Sequence, residues 1–371
     1  MKKLKITIAP ESAVLTPFHS DTLWGHICWA LRYIFDTGIL SRFLESYSSK
    51  APPLIISNAF PEGYLPFPTL PPATKNDLFK LSEDYFGSDQ KISGVSRIKR
   101  IFRLPFLSKD VFKAFEGDPL SQTALMRHVF DHPAFCPETA GYLHDPCRDK
   151  RNGNGLITCP FFDSTQKPCL SFDQKTVRFT PMSELTYHVR IDRYSGTAQD
   201  QALFTTTDTF WPQRPLEAYC MIDDKLFTES MLRECLDYIH ATGYGKDKSS
   251  GKGSVTFRLE EGSPGDAPDQ SNAFMCLSNY VPVKGDPTEG CYNIMTKYGK
   301  LGGHYANSSI IPGKEPIPYK YPLIMFQQGS IFKTVQNKHF YGKIVQEIHP
   351  SANPVISHYG MAYPFHVKAG W

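Results

Sequence analysis

The residue types from 243 to 253 are suited to binding phosphate groups. Four glycines, three lysines and two serines fall within these eleven residues. Glycine allows the backbone to approach a partner closely, and backbone N–H groups and ammonium ions are natural phosphate donors. The candidate binding residues are Gly243, Gly245, Lys246, Lys248, Ser249, Ser250, Gly251, Lys252 and Gly253. The alternative is an ordinary surface turn with solvated lysines.

This stretch does not match the phosphate-binding loop of nucleotide hydrolases. That motif requires glycine, four residues, glycine-lysine and then serine or threonine. Here five residues separate Gly245 from Gly251, and Gly253 follows Lys252. A phosphate-binding loop also runs from strand to helix, whereas this loop is predicted to run from helix to strand. The sequence therefore disfavours hydrolysis of mononucleotides.

Four cysteines lie close together in a stretch without clear periodicity, from 131 to 172. They are Cys136, Cys147, Cys159 and Cys169. Four thiolates satisfy tetrahedral zinc, and a metal would organise a segment that lacks an apolar pattern. However, the stretch contains no CxxC pair. A structural zinc site and reduced, partly buried cysteines both remain open, and no cofactor is required.

The composition is that of a globular chain. The 371 residues carry a net charge of +3, with 41% hydrophobic and 21% charged residues. This balance excludes wholesale disorder, and no apolar run is long enough for a transmembrane helix. The start MKKLKITIAPES alternates and stops at Pro10, so we interpret it as a strand rather than a signal peptide. We expect a cytoplasmic protein with no membrane partner and reduced cysteines.

Periodicity predicts the elements that position the glycine-rich loop. Strands are predicted at 3–9, 185–193, 203–211 and 254–259, and extended chain at 51–72, where seven prolines make a loop-rich rim. One helix is predicted from Ser20 or Asp21 to Gly38, and a second ends at Gly243. The acidic segment 260–272 has the composition of a linker.

These elements follow the split-βαβ, or ferredoxin-like, order. We therefore predict an α+β fold with two domains. The N-terminal domain covers 1–262, with an insertion at about 73–184 and the glycine-rich loop at 243–253. The C-terminal domain covers 273–371, where strand-like runs near 273–283, 291–298, 321–328 and 341–348 favour a degenerate ferredoxin-like copy.

The segment GYGKDKSSGKGSVTF, between a helix and a strand, resembles the glycine-rich signature of the RAMP superfamily of CRISPR-associated RNA-binding proteins. Further blocks resemble the 5′-end-capping RAMP subunits of type III-A (Csm) effector complexes. These blocks are HSDTLWGHICWALRY, PPLIISNAFPEGYLPFP, VRIDRYSGTA and HYGMAYPFHV, and they span nearly the whole chain.

The resemblance implies two ferredoxin-like (RRM-like) domains with a thumb insertion in the first. It also implies a non-catalytic subunit that grips the repeat-derived 5′ tag of CRISPR RNA (crRNA). Its expected protein partners are the large Cas-ten-type signature subunit and an adjacent backbone subunit, and target RNA is an indirect partner.

Other residues are compatible with single-stranded RNA, which needs phosphate contacts and stacking surfaces. On a predicted strand, Arg190 and Asp192 share one face and Arg193 takes the other, and Arg193 and Tyr194 begin a turn where they could contact RNA. A structural Arg–Asp pair is the alternative. Ser20 lies at a helix N-terminus, a position that favours anions, whereas we expect Asp21 to cap that helix.

Residues 91–113 form a second polyanion candidate, with seven basic residues against Asp110. A solvated helical face is the alternative for this basic stretch. Exposed stacking surfaces and ordinary packing both remain open for the aromatic residues near the C-terminus, such as Tyr359, Tyr363 and Phe365.

Two other classes of function compete with capping. His19 and His26 flank the start of the first helix, and a Cas-six-like endoribonuclease would use a histidine as general acid or base. A scaffold that contacts only proteins is the third class, and it predicts that the loop lysines have no effect on RNA affinity.

Overall fold

The computed structural model describes residues 1–49, 51–115, 118–131, 135–136, 141–142, 182–211, 215–268, 270–306, 308–311, 313–351 and 354–371. The chain is a mixed α/β protein with several small sheets. The α-helices are α1 (Ser20–Ile34), α2 (Thr37–Ser48), α3 (Lys75–Phe86), α4 (Lys91–Ile101), α5 (Lys109–Ala114), α6 (Gln122–Asp131) and α7 (Glu229–Thr242).

In the described part of the chain, eleven strands precede residue 262. They are β1 (Lys2–Pro10), β2 (Leu54–Ile56), β3 (Phe60–Pro61), β4 (Tyr64–Pro66), β5 (Phe106–Ser108), β6 (Phe135–Cys136), β7 (Gly141–Tyr142), β8 (Met182–Ile191), β9 (Ala198–Phe210), β10 (Leu216–Ile222) and β11 (Val255–Glu261). Eight follow it: β12 (Ala273–Cys276), β13 (Gly290–Cys291), β14 (Ile294–Lys297), β15 (Leu323–Phe326), β16 (Ile331–Lys333), β17 (Tyr341–Val345), β18 (His358–Ala362) and β19 (Pro364–Val367).

The largest sheet is antiparallel and has the order β11-β1-β10-β2, with β3 also paired to β10. The alternation in β1 buries Leu4, Ile6 and Ile8 completely, as its two-residue period predicts. Helices α1 and α7 pack against each other beside this sheet. The order β1-α1-β2-β10-α7-β11 places the loop between α7 and β11 next to the start of α1.

The helix predicted from Ser20 to Gly38 is two helices. Helix α1 ends at Ile34, and the Asp36 carboxylate accepts a hydrogen bond from the Ile39 N–H at 2.7 Å to start α2. Gly38 therefore lies in the first turn of α2 rather than at a helix end. Because Asp36 is the N-cap of α2, a second helix with its own apolar face begins there.

The proline-rich segment 51–72 is extended, as predicted, but it is not a rim. It contains β2, β3 and β4, and Leu54, Ile55 and Ile56 are fully buried. Pro52 and Pro53 precede β2, and Pro61 and Pro66 are the last residues of β3 and β4, positions where a missing N–H costs the pairing little.

The second half has a four-stranded sheet of order β13-β16-β12-β19 and the hairpins β14–β15 and β17–β18. Its described residues, from 270 onward, contain no α-helix. The predicted pair of ferredoxin-like domains is therefore not confirmed. The domain boundary predicted between 262 and 273 stays a prediction. Residues from both sides of it share one hydrophobic core. Within this core the Tyr359 hydroxyl accepts a hydrogen bond from the Ile56 N–H at 2.8 Å.

The region predicted as an insertion contains α3 to α6 and begins the long hairpin β8–β9. Much of it, from 143 to 181, lies outside the described residues. The thumb predicted there is not confirmed. Among the described residues, no helix has the length and apolar character needed to cross a membrane.

Candidate nucleic-acid interface

The glycine-rich loop follows α7 directly and uses its glycines for backbone geometry. Gly243, Gly245, Gly251 and Gly253 all have positive φ angles, between 71° and 84°. A Cβ at Gly253 would overlap the carbonyl oxygen of Tyr244, and one at Gly245 would lie 2.7 Å from Thr16 Cβ. Glycine is therefore required at these two positions by close approach as well as by φ.

The floor of the loop is an aromatic stack. Tyr244 is fully buried, and its ring lies 4.5 Å from Phe18 and 4.6 Å from His26. Its hydroxyl donates to the Pro17 carbonyl oxygen at 2.8 Å. The loop is therefore anchored to the segment that leads into α1.

Two residues from that segment and from α1 accept hydrogen bonds from the loop backbone. His26 Nε2 accepts from the Gly245 N–H at 3.1 Å, and Thr16 Oγ1 accepts from the Lys246 N–H at 3.1 Å. Burial, with a smaller contribution from Lys248, lowers the pKa of His26 to about 3, so the imidazole is neutral and can accept. Sequence reasoning missed Thr16 and treated His26 only as a catalytic candidate.

Hydrogen bonds inside the protein leave fewer loop amides for phosphates than the sequence suggests. Six of them already donate within the protein, those of Gly243, Tyr244, Gly245, Lys246, Ser250 and Gly253. A tightly wound loop satisfies its own polar groups because unpaired ones are costly. The groups that it offers to a ligand are mainly side chains.

The three lysines of the loop differ. Lys246 is exposed, with its ammonium 3.7 Å from the Asp247 carboxylate. Lys248 is exposed, its amine lies 3.5 Å from the Gly243 carbonyl oxygen, and partial burial of the amine lowers its pKa. Lys252 is mostly buried and forms an ion pair with Asp208 of β9. Ser249 and Ser250 are exposed between them.

The predicted arginine turn is the tip of the β8–β9 hairpin. Arg190, Arg193 and Tyr194 are all exposed. The Asp192 carboxylate accepts hydrogen bonds from the backbone N–H groups of Tyr194 at 2.8 Å and Ser195 at 3.0 Å, which shapes the turn. The strand register shifts at Arg190, so the regular facial alternation predicted for it is interrupted.

The hairpin tip and the glycine-rich loop are not brought together. The loop contacts the hairpin at Asp208, and the ten residue steps back to Ala198 span roughly 33 Å at about 3.3 Å per residue. An extended ligand, rather than one compact group, would be needed to contact both.

The start of α1 differs from the prediction. Ser20 is fully buried, and its N–H donates to Asn58 Oδ1 at 2.7 Å, so its hydroxyl does not lie at the surface. Asp21 does not cap α1, because its carboxylate is buried against Lys297 of β14 at 2.9 Å. The N-cap is His19, which makes no capping bond through its side chain.

Asp21 belongs to a buried ionic cluster that sequence reasoning did not predict. Burial raises the pKa of the Asp21 carboxyl, but Lys297, His358 and His19 together outweigh this effect, so the pKa lies below its usual value. His358 Nε2 lies 3.5 Å from the Asp21 carboxylate. Lys320 lies beside His358, and burial lowers the pKa of the Lys320 amine to about 8. These partners come from distant parts of the chain, so no local pattern identifies them.

Much of the basic stretch 91–113 is engaged within the protein. Lys109 donates to Glu217 at 2.7 Å and to the Tyr219 hydroxyl at 2.6 Å. Lys91 pairs with Glu83 at 3.2 Å, and Arg97 is buried. Lys109 is therefore structural, because α5 lies against the central sheet, whereas Lys99, Arg103 and Lys113 are exposed.

The structure bears on the C-terminal aromatic residues but not on most of the candidate zinc ligands. Tyr359, Tyr363 and Phe365 are buried, which favours packing. Cys147, Cys159 and Cys169 lie outside the described residues, and Cys136 lies in β6, so the zinc site stays a prediction. The other five cysteines, Cys28, Cys220, Cys235, Cys276 and Cys291, are free thiols.

Solved structures share this fold. A chain of the crystal structure of the Csm3-Csm4 subcomplex in the type III-A CRISPR-Cas interference complex is 14% identical, with a TM-score of 0.53 and 100% coverage of both chains. A chain of the crystal structure of the Csm1-Csm4 cassette in complex with pppApA is 13% identical, with a TM-score of 0.52, over 100% of this chain and 99% of that chain. Comparison with curated proteins finds no match.

A family model, that of the RAMP superfamily, matches residues 11–256. This span includes α1, the β8–β9 hairpin, α7 and the glycine-rich loop with its supporting residues Thr16 and His26. The Cas-six-like alternative is not supported, and His26 acts as a hydrogen-bond acceptor for the loop. Both the motif and more than half of the sequence thus lead to the same assignment: the chain belongs to the RAMP superfamily.

Proposed function

We propose that this chain is a non-catalytic, crRNA-binding subunit of a type III-A CRISPR interference complex. In this proposal it caps the repeat-derived 5′ tag of crRNA and links the large Cas-ten-type subunit to the backbone subunits. Membership of the RAMP superfamily and the full-length likeness of fold to chains from Csm1-Csm4 and Csm3-Csm4 structures support it.

One observation carries the RNA-binding part of the proposal. Lys246 and Lys248 are exposed on a loop whose backbone is fixed from below by Thr16, His26 and Tyr244. A fixed backbone holds the two ammonium groups over a ligand without the entropy cost of ordering the loop on binding. The exposed Ser249, directly after Lys248, adds a hydroxyl donor for phosphate oxygens, whereas the Ser250 hydroxyl already donates to the Asp247 carbonyl oxygen at 2.8 Å.

The mechanism is electrostatic and steric, and it requires no bond to be made or broken. The ammonium groups neutralise successive phosphates of a single strand. The exposed Arg193 and Tyr194 at the hairpin tip offer planar groups on which bases stack. Contact with target RNA is indirect, through the guide strand.

The salt dependence of RNA binding tests this proposal. We predict that the double variant K246A/K248A weakens binding of a single-stranded RNA carrying the 5′ tag. The slope of log affinity against log salt should fall by about 1.4, since each phosphate contact in a single strand contributes about 0.7. Fluorescence anisotropy between about 50 and 200 mM salt measures both quantities.

A matched control removes two exposed lysines elsewhere. Lys225 precedes α7, at the opposite end from the loop, and Lys284 lies in the second half. The K225A/K284A variant has the same net charge as the test variant and should keep the wild-type slope. Equal slopes for all three proteins would favour a scaffold that contacts only proteins and would contradict the proposal. Intact RNA after incubation is expected throughout.

A further inference from the structure

The base of the β8–β9 hairpin and the glycine-rich loop are joined through the segment between β1 and α1. Val14 exchanges two backbone hydrogen bonds with Thr209 of β9, at 2.8 and 3.2 Å. On its other side, the neighbouring Ala13 carbonyl oxygen accepts from the Gly253 N–H at 2.8 Å. The hairpin base and the end of the loop therefore lie on either side of one short segment.

Asp208 adds a side-chain connection across this junction. Its carboxylate is almost fully buried and accepts hydrogen bonds from Thr186 Oγ1 at 2.9 Å and Thr206 Oγ1 at 3.2 Å, both within the hairpin. Its third partner is the ammonium group of Lys252 in the loop. The hydrogen bond from Lys252 holds the pKa of the Asp208 carboxyl below its usual value.

This arrangement distinguishes Lys252 from the other two loop lysines. Asp208 is 2% exposed and Lys252 22% exposed, so water screens their attraction little. If Lys252 bound a phosphate instead of Asp208, the buried Asp208 carboxylate would lose its counter-charge. Leaving a buried charge unpaired costs free energy. Lys246 has only a loose, exposed contact with Asp247, and no comparable penalty opposes its binding to RNA.

We propose that Lys252 and Asp208 are a positioning pair that fixes the hairpin to the glycine-rich loop, and that Lys252 is not a phosphate ligand. The pair sets the direction in which the hairpin projects from the loop. It thereby aligns the hairpin tip with Lys246 and Lys248 along one extended strand. This role rests on the proposed RNA binding, but the junction itself can be measured without RNA.

The test compares K252A, D208A and the double variant with the wild-type full-length chain, using the single-stranded tag RNA. A positioning pair predicts that each single variant lowers affinity by about tenfold, the effect of losing roughly 1.4 kcal/mol. The double variant should lose little more than either single variant, because both remove the same contact. The salt slope should stay at the wild-type value in all three.

The opposite pattern would overturn the proposal. If Lys252 binds a phosphate, K252A lowers the slope by about 0.7, and D208A tightens binding by releasing Lys252 and removing a negative charge. E184A is the matched control, because Glu184 is exposed and lies opposite Asp208 on the paired strand. The E184A variant loses a carboxylate but keeps the Lys252–Asp208 contact. E184A should not weaken binding.

Hydrogen exchange separates failure of this inference from failure of the proposed function. The amides of Val14 and Thr209 should exchange faster in D208A and in K252A than in wild type or E184A, with no RNA present. Unchanged exchange at both amides would contradict the positioning role even if RNA binds. If the wild-type chain does not bind the RNA, faster exchange still supports the pair while the proposed function fails. D208N, which keeps the shape of the side chain, provides the same readout if D208A is unstable.

Discussion

At the scale of single residues, four glycines with positive φ set the backbone of the glycine-rich loop, and residues distant in sequence accept hydrogen bonds from its amides. Positive φ at Gly243, Gly245, Gly251 and Gly253 follows from residue type. The occupation of the loop amides by Thr16, His26 and the loop itself could not be predicted. Thr16 and His26 lie more than 200 positions from the amides that they accept from, and periodicity carries no information about such pairs.

Two glycines of the motif provide a matched pair for mutation. Gly251 and Gly253 both have positive φ, but only at Gly253 would a Cβ overlap another atom, the Tyr244 carbonyl oxygen. We predict that G251A costs about 1–2 kcal/mol of unfolding free energy, the cost of a left-handed conformation. G253A should cost at least about 2 kcal/mol more, because the backbone must also shift. Urea unfolding measures both, and equal losses would contradict this role of Gly253.

At the scale of elements, strands and helices with strong periodicity were predicted well. Strand β1, the pair β8–β9, helix α7 and strand β11 all lie where the alternation or the fourfold spacing placed them. The sequence does not predict helix α2, because Gly38 has the character of a helix end, whereas the preceding Asp36 starts a new helix. The proline-rich segment was placed at the surface because sequence composition does not show that β10 pairs with it.

The basic stretch shows how charge composition can mislead at this scale. Lys109 at the start of α5 lies against the buried Glu217 of β10, which also contacts Lys5 at 3.3 Å. Seven basic residues in one stretch predicted a polyanion surface. The acidic partners come from other elements, and they convert part of that charge into contacts that hold α5 on the sheet.

Removing Lys109 should therefore affect stability and not RNA binding. We predict that K109M lowers the unfolding free energy by about 3 kcal/mol, the lower end for breaking a buried ion pair, because Lys5 remains near Glu217. K113M is the matched control from the same helix, since the exposed Lys113 lies 3.8 Å from Asp110 and such pairs contribute about 0–1 kcal/mol. A reduced RNA salt slope in K109M would show that this stretch binds RNA after all.

At the scale of the whole molecule, the buried cluster around Asp21 connects the start of α1 to the second half. Lys297, Lys320 and His358 all come from beyond residue 290, and all lie near the same carboxylate. The sequence predicted two separate domains because a linker-like segment divides it. Polar contacts and a shared core across that segment could not be predicted from local composition.

This cluster makes the stability of the protein depend on pH. Burial lowers the pKa of His358 from 6.5 to about 3. Below pH 6.5 the unfolded chain takes up a proton at this position that the folded chain does not, so stability falls as the pH drops from 6.5 towards about 3. The contribution is about 1.4 kcal/mol per pH unit for one proton.

We predict that H358Q flattens the dependence of unfolding free energy on pH between pH 6 and 4 by up to this amount. Urea unfolding of wild type and variant at several pH values measures the difference in slope. The same slope in both proteins would show that His358 can take up its proton in the folded state.

If Lys246 and Lys248 hold the phosphate chain of a bound RNA, photocrosslinking should place the 5′ tag on the glycine-rich loop. The assembled ribonucleoprotein would carry photoreactive nucleotides in the 5′ tag, and crosslinked peptides would be identified by mass spectrometry. We expect crosslinks within residues 243–253 from consecutive tag positions. Efficient crosslinking elsewhere on the chain, with none in this loop, would contradict it.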